Sequence, residues 1–255
     1  MMQKSFKHSK ILTGAGGAAI AYDRVTGNSP GVMFLGGFMS NMRGAKATAL
    51  EKICRTNGHA FVRFDYSGHG ESSGKISEGT IGSWLSDALL IFDSYTDGPQ
   101  ILVGSSMGGW IMLLLALARP KKIRGLIGIA AAPDFTEDLL WERFDANVRA
   151  KLENDGIHYE RTDYENEPYV ITKELIEEGR NHLLLRHKIT INHPIRLLHG
   201  MRDESVPWTT AFRLSEKISS EDVRIVLIKG GDHSLSRDED IHCLQITLQE
   251  LLEKY

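Results

Sequence analysis

Residues 104–108 read Gly-Ser-Ser-Met-Gly, and they are the first place in the chain where residue types and spacing suggest chemistry. A serine hydroxyl is a weak nucleophile until a base takes its proton, and the usual base is a histidine held in one tautomer by a carboxylate. Ser106 is the central serine of a G-x-S-x-G pattern, preceded by an apolar run at 101–103 and followed by a long apolar stretch to Arg119. A strand, a sharp turn and a helix are the context this pattern requires. Glycines at 104 and 108 leave room beside so tight a turn. The hydroxyl of Ser106 would then stand over the positive end of the following helix. Shifting the pattern onto Ser105 puts Val103 and Met107 at the glycine positions, which the turn would not tolerate.

Two later strand ends supply partners. The run at 195–198 leads into H-G-M-R-D-E-S-V-P, which carries Asp203, and the run at 223–228 leads into K-G-G-D-H-S-L-S, which carries His233. Sites in α/β proteins gather beyond the C-terminal ends of parallel strands, and the order Ser106, Asp203, His233 is that of α/β-hydrolases. Glu204 and Asp232 are rival acids. Asp232 adjoins His233, and neighbouring side chains in an extended loop diverge; spacing does not separate Glu204 from Asp203. His69, in a Gly-His-Gly loop after another strand, is the rival base, but it precedes the serine. His199, at the end of a core strand, reads as a structural histidine. Attack on a carbonyl creates an oxyanion that needs preorganised donors. The expected ones are the backbone N–H of Met107, next after the nucleophile, and that of Phe38, in the loop opened by Gly36-Gly37.

These groups need a scaffold, and the chain supplies one. A hairpin is expected from runs at 9–13 and 18–22 about Gly14-Ala15-Gly16-Gly17, where neither a dinucleotide nor a P-loop fingerprint fits. Strands are expected at 31–35, 60–64, 101–103, 125–132, 195–198 and 223–228. Helices are expected at 43–56, 80–95, after Ser106, at 209–218 and at 239–253. Strands alternating with helices indicate a mostly parallel, twisted sheet covered on both faces. The rhythm breaks at Pro133. Residues 134–192 are more charged and aromatic, with an expected hairpin and a helix at 173–184, and at some sixty residues they exceed a simple crossover. The expected organisation is a core of residues 1–133 and 193–255 with a small lid at 134–192, whose Leu139, Leu140, Trp141 and Phe144 either line an acyl pocket or pack the lid down.

Composition narrows the function classes. The chain has 255 residues, 25% charged, with a net charge of −3, so no polybasic surface suggests nucleic acid as a partner. Two cysteines, Cys54 and Cys243, form no disulfide framework and fit a reducing compartment. No apolar run is long enough for a transmembrane helix, so no stable membrane insertion is expected. Without a secretory signal, and with the domain beginning near the start of the chain, a cytoplasmic location is expected. No H-E-x-x-H or C-x-x-C motif occurs, so neither metal nor cofactor is implied.

The segments L-G-G-F-M-S-N-M, R-F-D-Y-S-G-H-G, D-G-P-Q-I-L-V-G-S-S-M-G-G-W and I-R-L-L-H-G-M-R-D-E-S-V-P-W resemble one branch of the serine α/β-hydrolases. That branch contains the mitochondrial palmitoyl-protein thioesterase that also hydrolyses acyl glucuronides, with its bacterial relatives. The resemblance implies the α/β-hydrolase fold and places nucleophile, acid and base on Ser106, Asp203 and His233, which favours Asp203 over Glu204. It implies an esterase or acyl thioesterase working through an acyl-enzyme, on a small acyl ester or thioester or an acylated protein. Many superfamily members open the oxyanion loop with His-Gly, where this chain has Gly36-Gly37. The alternatives are an aminopeptidase, for which Glu165 or Glu167 could hold a substrate amine, a carbon–carbon bond hydrolase, and a non-catalytic binding module.

Overall fold

The computed structural model describes residues 10–13, 17–160 and 168–254. Lys10–Thr13 (β1) and Ala19–Val25 (β2) pair antiparallel, with Thr13 opposite Ala19. The strands of the expected hairpin are therefore present; Ser9 and residues 14–16 of its turn lie outside the described residues. The alternating part follows as Asn28–Leu35 (β3), Ala45–Asn57 (α1), His59–Phe64 (β4), Ile81–Tyr95 (α2), Gln100–Ser105 (β5), Met107–Ala118 (α3) and Ile123–Ile129 (β6). Local chemistry sets the helix ends. Gly58 closes α1 in the left-handed region at φ 76. Thr80 caps α2 by accepting from the Ser83 N–H, while the Ser83 hydroxyl accepts from the Thr80 N–H at 2.8 Å.

After β6 the chain leaves the sheet. Residues 134–192 contain a π-helical turn at Thr136–Trp141, then Ala146–Asp155 (α4), the antiparallel pair Ile157–Glu160 (β7) and Tyr169–Thr172 (β8), and Lys173–Gly179 (α5). The chain rejoins the sheet as Ile195–Gly200 (β9), Thr209–Lys217 (α6), Val223–Ile228 (β10) and Asp238–Glu253 (α7). The helix expected at 173–184 gives way after Gly179 to a short 3-10 turn, Arg180–His182. Asp134 explains the break: its carboxylate accepts from the N–H groups of Leu184 at 2.7 Å and Leu185 at 2.9 Å. Those donors are thereby taken from any longer helix, and the two ends of the segment are joined.

The main sheet has eight strands in the order β1-β2-β4-β3-β5-β6-β9-β10. From β4 to β10 the neighbours are parallel, and β2 joins β4 antiparallel. Alternate residues along each strand face opposite sides. Met33 and Leu35 of β3 therefore pack with Trp84, Ile91, Trp110 and Leu214 from α2, α3 and α6. Val32 and Phe34 pack with Leu50, Leu244 and Leu248 from α1 and α7. Helix α3 is apolar nearly all round and is buried almost throughout. Among the described residues no helix is long and apolar enough to cross a membrane. The chain winds outward from β3 to β4 and then returns to β5 on the other side of β3. This reversal puts the ends of β3 and β5 side by side at a switch point, where open α/β sheets form their binding crevices.

Candidate active site

Ser106 follows directly on β5 and precedes the first residue of α3. Its backbone is at φ 53, ψ −120, a conformation uncommon outside glycine. Three bonds hold it there: its N–H donates to the Ile129 carbonyl at 2.9 Å, and its carbonyl accepts from the N–H groups of Gly109 at 2.8 Å and Ala132 at 3.1 Å. The flanking glycines are sterically required. A Cβ on Gly104 would lie 2.3 Å from the Gly108 carbonyl oxygen, and one on Gly108 would lie 2.2 Å from that of Leu35. Gly37 brings the loop after β3 against the serine, since a Cβ there would lie 3.5 Å from the Ser106 Cβ. The two loops that carry Phe38 and Met107 thus meet at Ser106. Met107 is the first residue of α3, so its N–H has no acceptor within the helix.

The three residues singled out from the sequence form one hydrogen-bonded line. His233 Nε2 is 3.1 Å from the Ser106 hydroxyl, and His233 Nδ1 is 2.8 Å from Asp203 Oδ2. With a carboxylate facing Nδ1, the neutral ring carries its proton there and offers Nε2 as acceptor to the serine. The Asp203 side chain is fully buried. Its other oxygen, Oδ1, accepts from the N–H groups of Ser205 at 2.9 Å and Val206 at 2.8 Å. Burial by itself would raise this carboxyl, but the hydrogen bonds from His199 and His233, with help from the backbone, outweigh it and hold Asp203 at about 2. The rivals are placed differently. Glu204 lines the cavity beside Ser106. Asp232 accepts from the Leu235 N–H at 2.9 Å, closing a turn in the loop after β10. His69 is buried against Phe38, Tyr66 and Trp84, with Nδ1 3.2 Å from the Ser67 carbonyl.

His199 also touches Asp203. Its Nε2 faces two acceptors, Asp203 Oδ2 at 3.2 Å and the Val206 carbonyl at 3.0 Å, so the proton sits on that nitrogen and the ring donates to the acid. In the sequence only its place at the end of β9, four residues before Asp203, hinted at this contact.

Two cavities meet at Ser106 and His233. The larger, about 370 Å³, is lined mainly by apolar side chains, including Phe135, Leu139, Leu140, Phe144, Tyr169 and Ile171. The smaller, about 240 Å³, is lined by Ser40, Asn41, Lys46, Ser234 and Ser236 beside Phe38. Of the four apolar residues expected to line a pocket or pack the segment, Leu139, Leu140 and Phe144 line the larger cavity. Trp141 does not: the guanidinium groups of Arg149 and Arg180 lie 5.2 and 5.1 Å from its ring centre. Glu165 and Glu167 lie outside the described residues.

The family model described as serine aminopeptidase, S33, matches residues 32–240. Mouse mitochondrial palmitoyl-protein thioesterase ABHD10 is 44% identical over 236 residues, which are 92% of this chain and 79% of that protein. The solved structure of the mouse α/β-hydrolase domain-containing protein 10 superposes with a TM-score of 0.90 at 42% identity, covering 96% of this chain and 98% of that one. A putative hydrolase from Agrobacterium vitis superposes at 0.92 with 36% identity, covering 95% and 98%. The expected cytoplasmic location is overturned by these relatives, since the thioesterases 42–44% identical to this chain are mitochondrial proteins. Free thiols mark a reducing compartment without saying which one, and the residue at which a sequence begins carries no address. The match over most of the chain and the agreement of the folds make this protein an enzyme of the serine α/β-hydrolases, belonging to the serine aminopeptidase S33 family.

Proposed function

We propose that the protein hydrolyses carboxylic esters and thioesters of apolar acyl groups through an acyl-enzyme on Ser106. The observation that carries this reading is the Asp203–His233–Ser106 line opening onto an apolar cavity of about 370 Å³. His233 Nε2 takes the Ser106 proton as Oγ attacks the acyl carbonyl, and the oxyanion is received by the N–H groups of Met107 and Phe38. The imidazolium, stabilised by ionised Asp203, then protonates the departing alcohol or thiol. A water that gives its proton to His233 attacks the acyl-serine and releases the acid, returning Ser106 its proton. Residues 134–192 act as the lid, and Leu139, Leu140 and Phe144 give the acyl chain its apolar wall. The leaving group lies toward the smaller cavity. The thioesterase activity in the names of the 42–44% identical relatives supports thioesters among the substrates.

An amide-cleaving reading draws on the family's description and on Glu160 and Glu204 at the cavity. Arg143 also lines the cavity, and together with the mainly apolar wall it favours an acyl chain over a charged amine. A panel of p-nitrophenyl esters, acyl thioesters and aminoacyl amides tests the reading, with Ser106→Ala as control. Ester and thioester turnover that disappears in Ser106→Ala supports it; turnover that survives the substitution, or turnover of amides alone, overturns it.

A further inference from the structure

Lys46 occupies a costly place. It lies in the first turn of α1, which carries no acidic residue, although the positive end of a helix favours anions and disfavours cations. Burial pushes its ammonium down to about 8, against the pull of Asp232 and Asp240. The compensation is specific. Lys46 Nζ reaches across to the loop after β10, donating to the Ser234 carbonyl at 2.5 Å, with the Ser236 hydroxyl at 3.5 Å. Ser234 is the residue next to His233. The same loop holds Leu235 at φ 44, an unusual conformation for a leucine, with its side chain buried. Asp232 fixes one side of this turn through the Leu235 N–H. Lys46 fixes the other from a helix 188 residues earlier in the chain, on the wall of the smaller cavity.

We propose that Lys46 is a positioning residue for His233: by gripping the Ser234 carbonyl it anchors the loop backbone so that the imidazole stays in line between Asp203 and Ser106. The inference rests on His233 being the base. It makes the base loop dependent on the first turn of α1, and so on the loop between β3 and α1 that also carries Phe38. Both sides of the reacting carbonyl are thereby set by one stretch of chain.

Two readouts test it. In Lys46→Met the chain length is nearly kept and the ammonium is lost. The expected result is a kcat lower by roughly ten- to a hundredfold, the scale of a small misplacement of a catalytic group, with the larger part of the effect in kcat rather than in KM. Lys46→Arg, which keeps a charged donor, should recover more kcat than Lys46→Gln. The second readout needs no substrate: the low-field proton resonance of the Asp203–His233 hydrogen bond should shift or broaden in Lys46→Met. An undisturbed resonance in a folded variant overturns the inference, as does wild-type kcat in Lys46→Met. If Lys46→Met does not fold, equal kcat in the arginine and glutamine variants overturns it. A wild-type protein without ester or thioester turnover would instead count against the proposed function, and the resonance still decides the role of Lys46.

Discussion

His199 Nε2 and His233 Nδ1 converge on one oxygen of Asp203, Oδ2, at 3.2 and 2.8 Å. The acid is therefore held from both sides, with its other oxygen tied to two backbone N–H groups. A fully buried carboxylate needs such partners, because desolvation alone would neutralise it. Replacing His199 by Phe should destabilise the fold by about 1.5–3 kcal/mol at neutral pH, the usual range for a hydrogen bond to a charged group. Asp203 is held below its ordinary value, so its bonds contribute stability above the unfolded carboxylate range and lose it as pH falls toward about 2. The gap between wild type and His199→Phe in urea midpoint should therefore be largest above about pH 4 and shrink toward about pH 2. A gap that stays constant over that range would show that His199 acts by packing alone.

Gly108 is the pivot between the two loops that meet at Ser106. Alanine is ordinarily the better helix former by about 1 kcal/mol, yet here its methyl would lie 2.2 Å from the Leu35 carbonyl oxygen and 2.4 Å from that of Gly36. Those are backbone atoms and cannot swing aside, so α3 and the end of β3 must part. Gly108→Ala should cost roughly 1–3 kcal/mol of stability, as overpacking does. Its loss of kcat should be the larger effect, because the displaced stretch leads directly to Phe38. Guanidinium melts and esterase assays on the same preparation check both; full activity in a destabilised variant would contradict the argument.

Much of this site could be read from the sequence because it rests on local constraints. The glycines around Ser106 report a steric need, and Asp203 and His233 each follow an apolar run of strand length. What could not be read is set by contacts between distant segments. Nothing near residue 46 shows that its ammonium lies beside Ser234, and nothing near Trp141 shows that two arginines claim its ring. The early end of α5 has the same origin, since Asp134 captures N–H groups fifty residues later in the chain. Strand and helix identity was legible for the same reason as the serine turn: apolar periodicity is a local signal. The hairpin of β7 and β8 follows it too, while the division of side chains between cavity wall and packing contact does not.

His69 should give the protein a pH-dependent stability that is separable from catalysis. Burial lowers this imidazole from 6.5 to about 4, in spite of its bond to the Ser67 carbonyl, and its Nε2 is buried without a partner. The unfolded chain takes up this proton as pH falls through 6.5, whereas the folded chain does so only near 4. Stability should therefore decline between those values, by roughly 3 kcal/mol from this group. Asp65, Asp87 and Asp134 are raised by burial and act in the opposite sense at the acid end. The difference between wild type and His69→Phe isolates the histidine: the wild-type urea midpoint should fall relative to that of the variant as pH goes from 7 to 4. Parallel curves would mean that the ring titrates normally.

Leu139 offers the most direct control over which acyl groups are cleaved. It lines the larger cavity while being only half-buried, so a larger side chain there can fill space without overpacking the core. Burial of each added methylene is worth about 0.8 kcal/mol, or close to fourfold in kcat/KM while the chain still meets apolar wall. In the wild type, kcat/KM for straight-chain acyl esters should rise by up to that factor per carbon and then level off once the cavity is full. Leu139→Trp should move the plateau to shorter chains, leaving acetyl and propionyl esters at wild-type rates and reducing long-chain turnover. Ser106, Asp203 and His233 are untouched, so fluorophosphonate labelling of Ser106 should remain at the wild-type rate. A variant that lost short and long substrates equally would place the acyl chain elsewhere and leave this cavity without its assigned role.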